Sequence, residues 1–286
     1  MDTFDQSDGL REHLHSERAL GKRVGFVPTM GGLHDGHLAL VHHALNLTET
    51  VVVSIFVNPL QFGANEDLDA YPRRLAADLA LLEQAGVHAV FTPSSDVMYP
   101  DGLAAQTKVL VPELTNVLCG ASRPGHFDGV STVVCKLFNM VAPDIAVFGQ
   151  KDLQQLLIIQ RMVADLALPI AVVGHPTARD TDGLALSSRN SYLTTEERKI
   201  APQLYAALCT LADAIEQGDR DYSIMEAKAC AHLREAGFQP DYIEVRRVSD
   251  LGRVESDDRE LAIFGAARLG HTRLIDNIRL TISESR

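Results

Sequence analysis

Residues 23–37 read RVGFVPTMGGLHDGH. The first five residues, RVGFV, are apolar, β-branched or aromatic around a single glycine, and predict a strand. A helix is predicted over 36–46, so PTMGGLHDGH at 28–37 makes the turn between the two. A strand that passes straight into a helix is the first half of a strand–helix–strand unit. The next strand is TVVVSIFV at 50–57. It is apolar at nearly every position, as strands are when helices cover both faces of a parallel sheet. The alternation continues with a helix over 71–85, with Leu75, Leu79 and Leu82 on one side, and a strand over 88–91. Helices over 130–141 and 153–166 flank a strand at 145–148, and a further strand covers 170–174. Repeated units of this kind predict an α/β domain with a parallel sheet.

After about His175 the pattern changes. One long helix is predicted over 194–217, opened by Thr194 with Glu197 three residues on, the spacing of a capping box. A second helix covers 223–236 and is closed by Gly237. Three strand-like runs follow at 242–248, 261–268 and 272–279. Helices followed by strands predict a small α+β domain. With the boundary in the loop-rich stretch 175–190, the domains are 1–177 and 178–286. There are no internal repeats and no low-complexity tract.

The 286 residues are 46% hydrophobic and 22% charged, a globular composition that excludes extended disorder. Lys and Arg number 26 and Asp and Glu 38, and 26 − 38 gives a net charge of −12. That balance argues against a nucleic-acid partner, which needs net positive charge to displace counterions. Cys119, Cys135, Cys209 and Cys230 form no close pair, which predicts reduced thiols and a cytoplasmic location. The polar N-terminus lacks the apolar core of a secretory signal. No apolar run approaches the ~20 residues of a membrane span.

Four segments carry chemistry. In the first, Met30, Gly31, Gly32, Leu33, His34, Asp35, Gly36 and His37 lie at the carboxyl edge of the sheet, where open parallel sheets bind ligands. Gly31, Gly32 and Gly36 allow close approach, and a helix N-terminus favours phosphate. His34 and His37 stand three apart and share a face, able to donate hydrogen bonds to a phosphoryl group. There is no P-loop, no G-x-G-x-x-G and no H-E-x-x-H. In the second, Asn58 and Gln61 of SIFVNPLQFG at 54–63 offer neutral donors and acceptors to a hydroxylated or carboxylated substrate; the same residues also suit a plain Asn-Pro turn. In the third, Gly149, Gln150, Lys151 and Asp152 repeat the strand-to-helix arrangement. Lys151 brings a mobile charge for phosphate, Asp152 suits a helix cap or a ribose hydroxyl, and Gln155 follows one turn on. In the fourth, Leu186, Ser187, Ser188 and Arg189 set two hydroxyls and a guanidinium in a row, suited to a triphosphate or to a polar linker. A weaker patch, Arg123 to Phe127, would add positive charge.

The His-x-Gly-His form is similar to the nucleotide signature of the adenylyl-transferring superfamily that includes class I aminoacyl-tRNA synthetases. In chain order, PTMGGLHDGH at 28–37, SIFVNPLQFG at 54–63, RPGHFDGVSTVV at 123–134, FGQKDLQQ at 148–155, DGLALSSRNSYL at 182–193 and RLIDNI at 273–278 resemble the pantoate–β-alanine ligase family. The resemblance implies a Rossmann-like N-terminal domain, a small α+β C-terminal lid domain and a homodimer. It implies that ATP, (R)-pantoate and β-alanine give pantothenate, AMP and diphosphate through a pantoyl adenylate. It places ATP on Met30 to His37 and on Gly149, Gln150, Lys151 and Asp152, with Leu186 to Arg189 closing over it and Ala178 meeting adenine. Gln61 and Gln155 would hold pantoate with Asn58, and Gln61 would also meet β-alanine. The family assigns His37 the part of proton donor; a hydrogen-bond donor to phosphoryl oxygens suits the chemistry as well. Mg²⁺ is expected with ATP, with Asp78 or Asp152 as the carboxylates to consider. Gly32 and the Ser-Ser-Arg order are small departures, from members with a larger residue and from the synthetases' Lys-Met-Ser-Lys-Ser loop. The remaining readings are an adenylyltransferase that needs no amine, and a nucleotide sensor without turnover.

Overall fold

The computed structural model describes residues 1–63 and 66–282. Its elements run β1 (Asp2–Phe4), α1 (Ser7–Ala19), β2 (Val24–Thr29), α2 (Asp35–Leu47), β3 (Thr50–Ile55), α3 (Leu75–Gln84), β4 (Ala89–Phe91) and α4 (Ser95–Met98). There follow α5 (Cys119–Ser122), α6 (His126–Val141), β5 (Ile145–Gly149), α7 (Leu153–Asp165), β6 (Ala171–His175) and α8 (Thr195–Ile200). The last are α9 (Gln203–Glu216), α10 (Tyr222–Glu235), β7 (Gln239–Arg247), β8 (Glu260–Leu269) and β9 (Thr272–Thr281). Two compact units result: Met1–Thr115 with Arg123–Pro176, and Asn116–Ser122 with Thr177–Arg286.

The first unit holds a six-stranded sheet in the order β1-β4-β3-β2-β5-β6, and its neighbouring strands pair in parallel. The alternation of strand side chains explains why β2 and β3 are apolar throughout. Val27, Val51 and Val53 join Val41, Ala44 and Leu82 in a cluster on one face. On the other side Phe26 and Phe148 each set a ring 6.3 Å from Phe138 of α6, edge to face. From β2 the chain moves to β3 and β4 on one side and later returns to β5 on the other. The β2/β5 pair is therefore the switch point of a Rossmann-like sheet, and the loops after Thr29 and Gly149 leave it side by side.

The second unit carries the antiparallel sheet β7-β8-β9. Leu204, Leu208 and Leu211 of α9 and Leu233 of α10 bury against Ile243, Ile263 and Leu274. The chain is thus an α/β unit with a parallel sheet and a smaller α+β unit.

Some predicted bounds shift for identifiable reasons. The single helix expected over 194–217 is two, α8 and α9, because Pro202 has no N–H to continue the ladder. Its capping box is formed: Thr194 N–H donates to Glu197 at 2.8 Å, and Glu197 N–H to Thr194 Oγ1 at 3.3 Å. Helix α6 starts earlier than expected, after Gly125 at φ +80°. Strand β1 and helix α1 were not anticipated in the polar N-terminal stretch; α1 is anchored by Leu10 and Leu14, both fully buried. Among the described residues no helix is long and apolar enough to cross a membrane, and none of the four cysteines is in a disulfide.

Candidate active site

The turn after β2 is held from beneath. Gly31 and Gly32 take φ of +82° and +62°, a region costly for residues with a Cβ. At Gly31 a Cβ would also come within 3.0 Å of Asp78 and of Ile55. Thr29 Oγ1 accepts the Gly31 N–H at 3.2 Å. The carboxylate of Asp78, 2% exposed on α3, accepts Gly32 N–H and Leu33 N–H, both at 2.9 Å. Asp78 was weighed above as a Mg²⁺ ligand; here both of its oxygens are engaged by the main chain.

His34 is the N-cap of α2, and its Nδ1 accepts the Gly36 N–H at 3.1 Å. A neutral imidazole with an accepting Nδ1 carries its proton on Nε2. The residue thus takes up the main-chain N–H that a helix terminus would offer to phosphate and presents a side-chain N–H instead. The His37 ring lies 4.1 Å from that of His34, centroid to centroid. Burial, then His34, then the charge of Lys151 push the His37 imidazole down to about 3. Burial and Lys151 also lower His34. Both rings are therefore neutral at physiological pH and close enough to Lys151 to feel its charge. Lys151 lies in the turn between β5 and α7, with Nζ 3.9 Å from Asp152. Two imidazoles and an ammonium lie close together at the switch point.

Beside them, Gln61 Nε2 donates to Met30 Sδ at 3.0 Å. Asn58, 1% exposed, is fully engaged inside the protein. Its Oδ1 accepts Tyr99 O–H at 2.7 Å and Leu60 N–H at 3.2 Å. Its Nδ2 donates to Gln61 Oε1 at 3.2 Å and to the Gly129 carbonyl at 3.1 Å. An amide has two donors and about two acceptor positions, so none is left over. The Gln61 carbonyl accepts from His126 Nδ1 at 2.7 Å, while His126 Nε2 faces Arg123 Nη1 at 3.0 Å. Burial and the Arg123 charge push His126 down to about 4. Arg123 itself pairs with Glu66. The patch 123–127 therefore does not add the free positive charge expected of it: its guanidinium is neutralised and its imidazole is uncharged. A cleft of about 160 Å³ opens here, lined by Gln61, Lys108, His126, Asp128 and Thr132 among others.

In the third motif Gln154 is buried and donates to the Leu114 carbonyl at 2.8 Å, whereas Gln155 stays half-exposed on α7. Gly174 leaves the room that Gln150 occupies; a Cβ there would lie 3.2 Å from it. Ala178, Leu186, Ser187, Ser188 and Arg189 belong to the second unit. There they extend a short hairpin in which Leu186 N–H donates to the Ala178 carbonyl at 2.9 Å. Arg179 anchors it by pairing with Asp276 at 2.5 and 2.8 Å and lying 3.6 Å over the Tyr205 ring. Ser187 Oγ accepts the Arg189 N–H at 3.3 Å.

Sequence reading missed the structural parts of Asp78, Tyr99 and Glu66, because their partners lie 45, 41 and 57 positions away. The one available signal was Asp78 itself, a carboxylate in the first turn of a helix with apolar neighbours.

The pantoate–beta-alanine ligase family model matches residues 2–279. A curated pantothenate synthetase of Pseudomonas putida is 57% identical over 284 residues, 99% of each chain. The crystal structure of pantothenate synthetase from Thermus thermophilus superposes with a TM-score of 0.90 at 46% identity, covering 97% of this chain and 99% of that one. The pantoate–beta-alanine ligase of Francisella tularensis, complexed with β,γ-ATP and β-alanine, has a TM-score of 0.80 at 34% identity, with 97% of each chain covered.

Proposed function

The chain belongs to the pantoate–β-alanine ligase family, and we propose from that membership how its residues divide the work. The reaction is the ATP-dependent joining of (R)-pantoate to β-alanine. The pantoate carboxylate attacks the α-phosphorus of ATP and diphosphate leaves, giving pantoyl adenylate. The β-alanine amine then attacks the acyl carbon, AMP leaves, and pantothenate is formed. A free carboxylate would have to expel oxide to acylate an amine; the adenylate replaces that with a good leaving group.

The difficulty of the first step is bringing two anions together. The convergence of His34, His37 and Lys151 at the switch point is the observation that carries the assignment. Neutral imidazole N–H groups and the lysine ammonium stabilise charge on the phosphoryl oxygens without neutralising the attacking carboxylate. Both imidazoles act as hydrogen-bond donors, in keeping with the lowered pKa that burial gives each ring. The nucleotide rests on Met30, Gly31, Gly32, Leu33, Asp35 and Gly36 and on Gly149, Gln150 and Asp152. Ala178, Leu186, Ser187, Ser188 and Arg189 form a stretch of the second unit whose hydroxyls and guanidinium suit a nucleotide by their chemistry. Mg²⁺ comes with the nucleotide's phosphates, and of the two carboxylates considered Asp152 is the one not committed to main-chain N–H groups. Mixing ATP, pantoate and β-alanine with the protein and detecting AMP and the amide tests the reading; AMP release without β-alanine would favour a simple adenylyltransferase.

Gln61 and Gln155 hold pantoate, with Asn58 fixing the Gln61 amide from behind, and Gln61 also meets β-alanine. Gln61→Ala is expected to raise the KM for pantoate by about tenfold and leave that for ATP within about twofold. The reverse pattern would mean the pockets are misassigned. Tyr99→Phe keeps the ring and removes one donor to Asn58. It is expected to raise the pantoate KM about fivefold, the worth of one hydrogen bond of about 1 kcal/mol, as steady-state kinetics would show.

Four cysteines outside any disulfide suit the cytoplasm. A homodimer is proposed on the family resemblance, and sedimentation at twice 31.2 kDa checks it.

A further inference from the structure

Successive main-chain N–H groups that converge on one point form a concavity for an anion, and nucleotide-binding loops commonly fill it with phosphate. The Gly31-Gly32-Leu33 turn has that form, but its occupant is already present. The Asp78 carboxylate takes the Gly32 and Leu33 N–H groups at 2.9 Å each. Thr29 Oγ1 takes the Gly31 N–H. His34 takes the next turn's donors, with Nδ1 on Gly36 N–H and its carbonyl on His37 N–H at 2.8 Å.

We propose that Asp78 is a positioning residue that stands in for a phosphate in the glycine turn. It locks the turn that aims His34 and His37, and it shifts recognition of the ATP phosphates from main chain to side chains. Geometry supports the lock. Asp78 is 2% exposed and sits on α3, an element otherwise remote from the turn in sequence. Any side chain at Gly31 would strike it at 3.0 Å. An unoccupied pair of buried N–H groups would be costly, so removing the carboxylate frees the turn to move or to take another anion.

The proposal rests on the ATP-site reading given above, and its test separates the two. Asp78→Ala leaves a space the size of a small carboxylate. Pantoate-dependent exchange of diphosphate into ATP is expected to fall by about 10- to 100-fold, since misplacing catalytic groups by about 1 Å has that cost. The KM for pantoate is expected to stay within about twofold. Added formate, whose two oxygens can accept the same N–H groups, is expected to restore exchange at least several-fold and to raise the variant's Tm. Equal chloride is expected to do neither, and formate should leave the native enzyme unchanged. Should the alanine variant not fold, Asp78→Asn tests the same point: its NH₂ group faces one of the two donors, and a comparable loss is expected. Native exchange in Asp78→Asn, or a folded alanine variant that formate neither stabilises nor reactivates, overturns the proposal. The site reading fails separately, if His37→Ala and Lys151→Ala leave exchange intact.

Discussion

Replacing His37 with alanine is expected to lower turnover by about 10²-fold, the usual cost of removing one preorganised donor from a developing charge. The fold should survive, because the buried Nδ1 of His37 has no hydrogen-bond partner among the described residues. A ring nitrogen that the structure does not use is available to a ligand. The measurement is kcat for pantothenate formation, with far-ultraviolet circular dichroism to confirm the fold. Near-native turnover would remove His37 from the mechanism. His37→Gln refines the test. Glutamine keeps an N–H donor but cannot act as an acid, so substantial activity in that variant supports hydrogen bonding over proton transfer.

The same residue predicts a pH effect on stability. Its imidazole pKa drops from an ordinary 6.5 to about 3 in the folded chain, chiefly through burial. Between those values the unfolded chain binds a proton that the native chain refuses. Stability is therefore complete above about pH 6.5 and declines as the pH falls toward 3. His126, held near 4 by burial, contributes in the same direction. Urea unfolding at about pH 7.5 and about pH 5 should show a smaller loss for His37→Gln than for the native chain. Equal losses would mean that the ring is not held neutral.

How far the sequence could be read depended on distance along the chain. The strand, glycine turn and helix over residues 24–47 were legible because every signal for them is local: apolar strand residues, glycines at positive φ, and a histidine at the helix N-cap. Lys151 was legible for the same reason, at the second strand-to-helix turn. The helix break at Pro202 was present in the sequence and overridden by the amphipathic pattern on either side. Asp78 and Tyr99 belong to another category. Each acts through tertiary contacts made by an element of its own, and nothing adjacent to either residue says which turn it will meet. Asn58 shows the consequence. As a polar residue after a strand it resembles a substrate ligand, and only the arrival of Tyr99 and of the Gly129 carbonyl shows its hydrogen-bonding capacity to be consumed.

Lys151 should be the most sensitive position for the adenylation half-reaction. Its side chain is 18% exposed and its charge reaches both imidazoles, so it sits in the part of the site where water screens least. Lys151→Ala is expected to cut pantoate-dependent exchange of diphosphate into ATP by about 10²- to 10³-fold. The aminolysis of pantoyl adenylate supplied directly should suffer much less, because the diphosphate has already left. Lys151→Arg restores charge but spreads it over a planar fork, and a partial recovery is the outcome that distinguishes a point charge on phosphate from a generic cation. An independent readout comes from the imidazoles. Lys151 lowers the pKa of His34, second only to burial, so the alanine variant should show that pKa moved upward in an NMR titration. His37 should move in the same direction, since Lys151 is also among the causes that lower it. Unchanged exchange together with an unmoved His34 would place the lysine outside the site.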